Sequence, residues 1–342
     1  MVSVIIPFYN DHYLIGEVVR RVVTGINPSL MEVIIVDDGS FYPLKAFDYP
    51  NVKVIRNKVN RGVGFSFDKG VLASSGDVLV LMGSDVYLRP RSWLRDAQNA
   101  LYNNKNGIVA SCCKGAYVSS KGRLYKWGNK RYGADILFRM GKEDLPLGSP
   151  LRAKDNFRDI LQARWYNVDN PTMPFEVPCV LGACYVTTKD WYLKIGGWGW
   201  IKPSKGLTQE NKKFKGHRVW GGLEPMISLK TWFAGGVCMV DPRWETGHVF
   251  SRQEHVKQSR GSRYDMMYFN KLFMAHSLFE EREAEILDGW LLKDGLNEGE
   301  ARKIIRHNEA SWRLEKQWND KIKVNDYTLF EDKFGYDLGF LK

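Results

Sequence analysis

The chain lacks any run of 18 apolar residues, and its first residues enter a β-branched segment with neither a basic leader nor the apolar core of a signal peptide. A spanning helix is thereby excluded, and no secretory leader is expected. Cysteine is scarce: Cys112, Cys113, Cys179, Cys184 and Cys238 form an odd set without a C-x-x-C pair. This argues against a disulfide framework and a clustered zinc site, and leaves the expectation of reduced core thiols in a cytoplasmic protein. Internal repeats and low-complexity tracts are absent too, so a solenoid is not expected. Acids are in deficit, 39 against 50 Lys and Arg, for a net charge of +11. The excess is concentrated. Residues 114–142 hold Lys114, Lys121, Arg123, Lys126, Lys130, Arg131, Arg139 and Lys142 against Asp135 alone, and residues 202–218 hold six cations against Glu210. Two such segments in an otherwise near-neutral chain are a footprint for a polyanion.

What is present is a globular composition, 44% hydrophobic and 13% aromatic over 342 residues, enough for one sizeable core with a helical appendage. Residues 2–10 (VSVIIPFYN) and 33–40 (VIIVDDGS) are continuous apolar runs that end in polar clusters. Runs without alternation mark strands covered on both faces, and parallel sheets bind ligands beyond the carboxyl ends of such strands. Pro7 to Asn10 and Asp37 to Ser40 are therefore expected to share one crevice. Leu14, Val18, Val19 and Val22 recur between them at helical spacing and complete a β-α-β unit. Further strands are expected at Val52 to Arg56, Val78 to Met82, Ile108 to Cys112, Val177 to Thr187 and Gly236 to Asp241. Helices are expected around Gly64 to Ala73, Ser92 to Tyr102, Lys189 to Ile195 and Glu224 to Phe233. The fold class is α/β, a mostly parallel sheet flanked by helices over residues 1–260. Within it, 114–173 reads as an inserted, irregular basic region and 198–220 as a lid loop. Residues 261–342 form a helical extension with a capping box at Asn297 to Glu300 and anchors at Ile304, Ile305, Trp312 and Trp318.

IIPFYN, VDDGS and an acidic strand end at Asp85 together resemble the nucleotide-sugar domain of GT-A glycosyltransferases, especially the large family two, over about residues 1 to 110. A second set resembles the polypeptide N-acetylgalactosaminyltransferases: Gly196-Gly197-Trp198, Trp220-Gly221-Gly222, Trp232 to Gly236, and Gly247-His248-Val249-Phe250. The resemblance implies a GT-A (Rossmann-like) fold, a nucleotide-sugar donor, most simply UDP-linked, and a divalent cation, Mn²⁺ or Mg²⁺. It places Asp37 on the N–H of a uracil ring, while Asp38 and Ser40 either join it or cap the next turn. Pro7, Phe8, Tyr9 and Asn10 would shape the base and ribose pocket, or Tyr9 is plain core. The family's D-x-D or D-x-H falls on Gly83-Ser84-Asp85, so the first acid is missing. Asp85 and His248 match the metal-touching positions, and a carboxylate with an imidazole suits Mn²⁺. In residues 60–70 (NRGVGFSFDKG), Phe67 and Asp68 stand where Arg and Asn are usual. Asp68 then reaches ribose or sugar hydroxyls, and Arg61 or Lys69 partly replaces the lost cation. One alignment puts Glu224 at the catalytic base of inverting members; the other puts Leu223 at the galactosaminyltransferase Glu and leaves Glu224 as a helix N-terminal carboxylate. His217 and Trp220 would close over the diphosphate, and Trp198 and Trp200 would shape the sugar pocket.

The basic regions bear on the acceptor. Tyr117, Tyr125, Trp127, Tyr132 and Phe138 interleave with the cations of the first, a combination suited to phosphate contact and base stacking. A hydroxymethylated pyrimidine in DNA is accordingly the preferred acceptor, with an extruded base as the reacting form. The alternatives are a surface polysaccharide, a lipid-linked glycan or protein Ser/Thr, and, in another class, an inactive nucleotide-sugar or nucleic-acid binding module.

Overall fold

The computed structural model describes residues 1–138, 160–165, 170–202, 206–207, 222–250, 264–293 and 296–342. The first half runs β1 (Val2–Phe8), α1 (His12–Val23), β2 (Met31–Asp37), β3 (Val52–Arg56), α2 (Val63–Ala73), β4 (Val78–Met82), β5 (Val86–Leu88), α3 (Trp93–Tyr102), β6 (Gly107–Val118) and β7 (Leu124–Arg131). Then come β8 (Ala134–Ile136), β9 (Ala163–Trp165), β10 (Phe175–Glu176), β11 (Cys184–Thr188), α4 (Lys189–Lys194), β12 (Ile201–Lys202), β13 (Gly206–Leu207), α5 (Leu223–Phe233) and β14 (Val237–His248). Four helices follow: α6 (Tyr264–Leu278), α7 (Glu281–Lys293), α8 (Glu298–Ile322) and α9 (Thr328–Phe334).

The main sheet has the order β10-β14-β6-β11-β4-β1-β2-β3, with β5 added to β14 and β7 to β6. β1 to β4 are mutually parallel. β11 runs against both of its neighbours, so β6 and its parallel partner β14 again point the way of β1. Side chains alternate across the sheet and sort into two cores. Val4, Ile6, Val33, Ile35, Val80 and Met82 pack with the buried stripe of α1 and with α3, whereas Ile5, Ile34, Val36, Leu79 and Leu81 face the other helices. Each aliphatic side chain so buried contributes about 1.5–3 kcal/mol.

Two elements differ from the sequence reading. The basic stretch after Cys112 is no irregular insertion at its start: β6 continues to Val118 and turns into β7, pairing Tyr117 with Lys126 and Cys113 with Arg131. Its Lys, Gly and Tyr residues hide the strand pattern because this hairpin is only half-buried. Farther on, Tyr132, Ile136 and Phe138 are core. The last strand likewise extends to His248, past a break in register between Asp241 and Glu245 that accommodates Pro242, which has no N–H to donate.

The C-terminal helices close the second core, which is continuous from Ile5 to Leu341. The α8 cap forms as the sequence indicates, with Asn297 Oδ1 accepting from the Glu300 amide at 3.2 Å. α8 is tied to α5 by a buried ion pair, Lys230 Nζ to Glu315 Oε1 at 2.7 Å, and the same ammonium donates to the Gly197 carbonyl at 3.0 Å. All five cysteines are free and buried. Among the described residues no helix is long and apolar enough to cross a membrane.

Candidate active site

β1, β2, β3 and β4 end at one edge of the sheet, and the turns after them build a crevice. Pro7 lies beyond Val2–Ile5, the stretch that pairs with β4, where a missing N–H is tolerated. Asn10, in the left-handed region at φ 60°, donates its amide to Ser40 Oγ at 3.1 Å and accepts from the Phe41 amide at 3.0 Å. These two bonds join the turn after β1 to the turn after β2.

The Asp37 carboxylate is buried and engaged on both oxygens. It accepts from the amides of Ser40 at 3.0 Å and Leu44 at 3.1 Å and pairs with Arg56, whose other nitrogen reaches the Ser40 carbonyl. Burial alone would raise its pKa, but these donors outweigh burial and hold it below the usual carboxylate range. Asp38 accepts from Asn57 Nδ2 at 2.7 Å and from the amides of Arg61 and Gly62 at 2.9 and 2.7 Å. There burial wins and the pKa is raised. Both acids thus frame the crevice floor. Its exposed surface is aromatic: Tyr9 is 39% exposed, Phe41 81% and Tyr42 78%, with the Tyr9 and Phe41 rings 6.3 Å apart. The sequence reading named Tyr9 and passed over Phe41 and Tyr42, although two adjacent aromatics directly after a strand-end turn were a legible signal.

The turn from Gly83 to Val86 delivers the second half of the site. Asp85 Oδ2 lies 3.2 Å from His248 Nε2, because β5 pairs with β14 and sets His248 opposite Val86. The Val249 amide, donating to the Asp85 carbonyl at 3.1 Å, fixes the same junction. A Cβ at Gly83 would lie 2.4 Å from Asp85 Oδ1, so the Asp85 carboxylate occupies the space where the missing first acid would begin. Ser84 is buried, and its hydroxyl is spent on Asp11 Oδ2, to which it donates at 2.6 Å. Glu224, in the first turn of α5, accepts from the Tyr185 hydroxyl at 3.1 Å. Burial raises its pKa, and the Tyr185 hydrogen bond and the charge of neighbouring His248 only partly offset this. His248 thus meets Asp85 directly and lies near enough to Glu224 for its charge to act on that carboxyl.

Asp85 and His248 offer one oxygen and one nitrogen to a cation. Among the described residues no group of three or more His, Cys, Asp or Glu forms a metal cage, while the buried His248 Nδ1 has no hydrogen-bond partner. Two protein donors, with phosphate oxygens and water left to complete the shell, fit Mn²⁺.

Other candidates lie elsewhere. Asp68 is fully buried and spent on the protein: it accepts from the Tyr192 hydroxyl at 2.5 Å and from the amides of Trp198 and Trp200 at 3.1 and 2.9 Å, and burial lifts its pKa to about 7. It anchors the 197–200 turn instead of meeting a sugar. Phe67 stacks on Trp198 with centroids 4.7 Å apart, and both tryptophans of that turn are buried. Lys69 is committed to the Arg56 carbonyl and to Asn57 Oδ1. His217, Trp220 and most of the expected lid lie outside the described residues.

The family Glycosyl transferase family 2 matches residues 3–158. The strand order and the crevice beyond the parallel strand ends are those of the GT-A fold, and the family match covers a little under half of the chain. More particularly, the chain is similar to the polypeptide N-acetylgalactosaminyltransferase 10 proteins. Identity to the Rattus norvegicus protein is 24% over 272 residues, covering 76% of this chain and 39% of that protein; to the Homo sapiens protein it is 23% over 350 residues, covering 98% and 50%. The fold is shared with a crystal structure of GalNAc-T7 with UDP, GalNAc and Mn²⁺, at a TM-score of 0.67 and 15% identity, over 99% of this chain and 57% of that one. The chain thus spans half or less of the length of the two type 10 proteins.

Proposed function

We propose that this chain transfers a sugar from a UDP-linked donor to an acceptor hydroxyl, with Mn²⁺ at Asp85 and His248. The observation that carries this reading is the Asp85–His248 pair at the strand ends, with Glu224 within reach of the His248 charge. The donor class is supported by the contents of the GalNAc-T7 structure. When bound, the cation neutralises the departing diphosphate. Tyr9, Phe41 and Tyr42 present rings to the nucleobase, on a floor held by Pro7, Asn10, Asp37 and Asp38. Asp37 and Asp38 are positioning residues in this scheme. Glu224, oriented by Tyr185 and kept basic enough by burial, takes the proton of the acceptor hydroxyl.

For the acceptor we favour protein Ser or Thr, since the relatives are named polypeptide transferases. DNA carrying hydroxymethylpyrimidine is the second reading, favoured by the exposed Tyr117 and Tyr125 and by Lys126 over the Tyr117 ring at 5.7 Å. It loses ground because Tyr132 and Phe138 are buried and Glu245 already pairs with Arg89, Lys114 and Lys130. The free buried cysteines support a reducing compartment such as the cytoplasm.

The test is turnover of UDP-glucose, UDP-galactose, UDP-N-acetylglucosamine and UDP-N-acetylgalactosamine with Mn²⁺, against a Ser/Thr peptide, hydroxymethylpyrimidine DNA and unmodified DNA. Sugar on the peptide supports the favoured acceptor, and sugar on modified DNA alone supports the second. No metal-dependent consumption of any donor overturns the proposal.

A further inference from the structure

The cation lost at Phe67 is not restored by Lys69, which is bonded to the turn after β3. Another residue is better placed. Arg131 ends β7 opposite Cys113 of β6, and Cys113 stands opposite Thr246 of β14. His248 lies two residues beyond Thr246, and side chains two apart on a strand share a face. The Arg131 guanidinium lies over the Phe250 ring at 5.0 Å and the Trp165 ring at 5.8 Å. Phe250 in turn packs on His248 with centroids 4.3 Å apart, so two ring contacts link the guanidinium to the imidazole. Lys114 and Lys130 are paired with Glu245, whereas no carboxylate among the described residues forms an ion pair with Arg131.

We infer that Arg131 binds the diphosphate of the nucleotide donor; the inference rests on the donor reading above. A guanidinium stacked on rings is held in one plane with its N–H edge outward, the fork that matches two phosphate oxygens. Stacking also restricts the side chain before the ligand arrives, so less freedom is lost on binding. A fixed cation at this point stabilises the negative charge that develops on the leaving diphosphate. Gly83 brings no acid to oppose it.

Calorimetric titration of UDP and of uridine, with and without Mn²⁺, into wild type, Arg131→Gln and Arg131→Lys tests the assignment. Arg131→Gln should weaken UDP roughly ten- to a hundredfold and leave uridine unchanged, because the lost bonds are charge-assisted and go only to phosphate. Arg131→Lys should fall between, since an ammonium keeps the charge without the fork. Arg131 is exposed, so the melting temperature should stay at the wild-type value and certify the fold. Equal UDP affinity in wild type and Arg131→Gln overturns the inference, as does an equal loss for UDP and uridine. A wild-type protein that binds neither overturns the donor reading and this inference with it.

Discussion

In the proposed scheme Asp85, His248 and Glu224 divide the chemistry among three side chains with different environments, and substitution should separate them. Asp85→Ala or His248→Ala should abolish Mn²⁺-dependent turnover while the protein still melts cooperatively; near-normal rates in both would sink the metal assignment. Glu224→Gln keeps the hydrogen-bonding shape and removes the base, so kcat should fall roughly 10²–10⁴-fold with donor affinity intact. Asp68 gives a prediction in stability instead. Its unfolded pKa is near 3.8 and its folded pKa about 7. Between those values the folded state holds a proton that the unfolded chain has released, so Asp68 contributes fully below about pH 4 and that contribution is lost as pH rises through about 7. Asp68→Asn should flatten the fall of melting temperature with pH across that window, and an unchanged slope would assign it to another group.

The ion pair between α5 and α8 is an element-scale device. Lys230→Met would strand the Glu315 carboxylate in the core and should cost about 3–5 kcal/mol in denaturant unfolding, with most of the loss recovered in Lys230→Met/Glu315→Met. If the single substitution proves nearly neutral, the carboxylate is taking up its proton or water instead. The pair also shows where sequence reading stops. β1, β2 and β4 were legible because an unbroken apolar, largely β-branched run has few other interpretations, and the α8 cap because Asn297 and Glu300 are only three positions apart. Lys230 and Glu315 carry no local sign of burial, since each is buried by a partner 85 positions away. Asp68 and Ser84 occupy the expected motif positions, yet their orientation depends on Tyr192, Trp198 and Asp11, which no local pattern announces. The β6–β7 hairpin was hidden because half-buried strands tolerate Lys and Gly as readily as loops do.

At the scale of the whole molecule, the four C-terminal helices are part of the same apolar core as the sheet. A chain ending before Tyr264 would bare Phe138, Trp232 and Phe233, whose rings pack on Phe279, Phe330 and Phe334, and should lose cooperative melting and aggregate; a cooperatively melting fragment that stays in solution would show that the sheet domain stands alone. The order of synthesis adds a consequence. The strand-end crevice is built by residues 7 to 85, yet Phe138, Trp232 and Phe233 lack their ring partners until residues 279 to 336 have been made. While the intervening segment is being made those rings stay without their cover, a window in which they are open to off-target apolar contact.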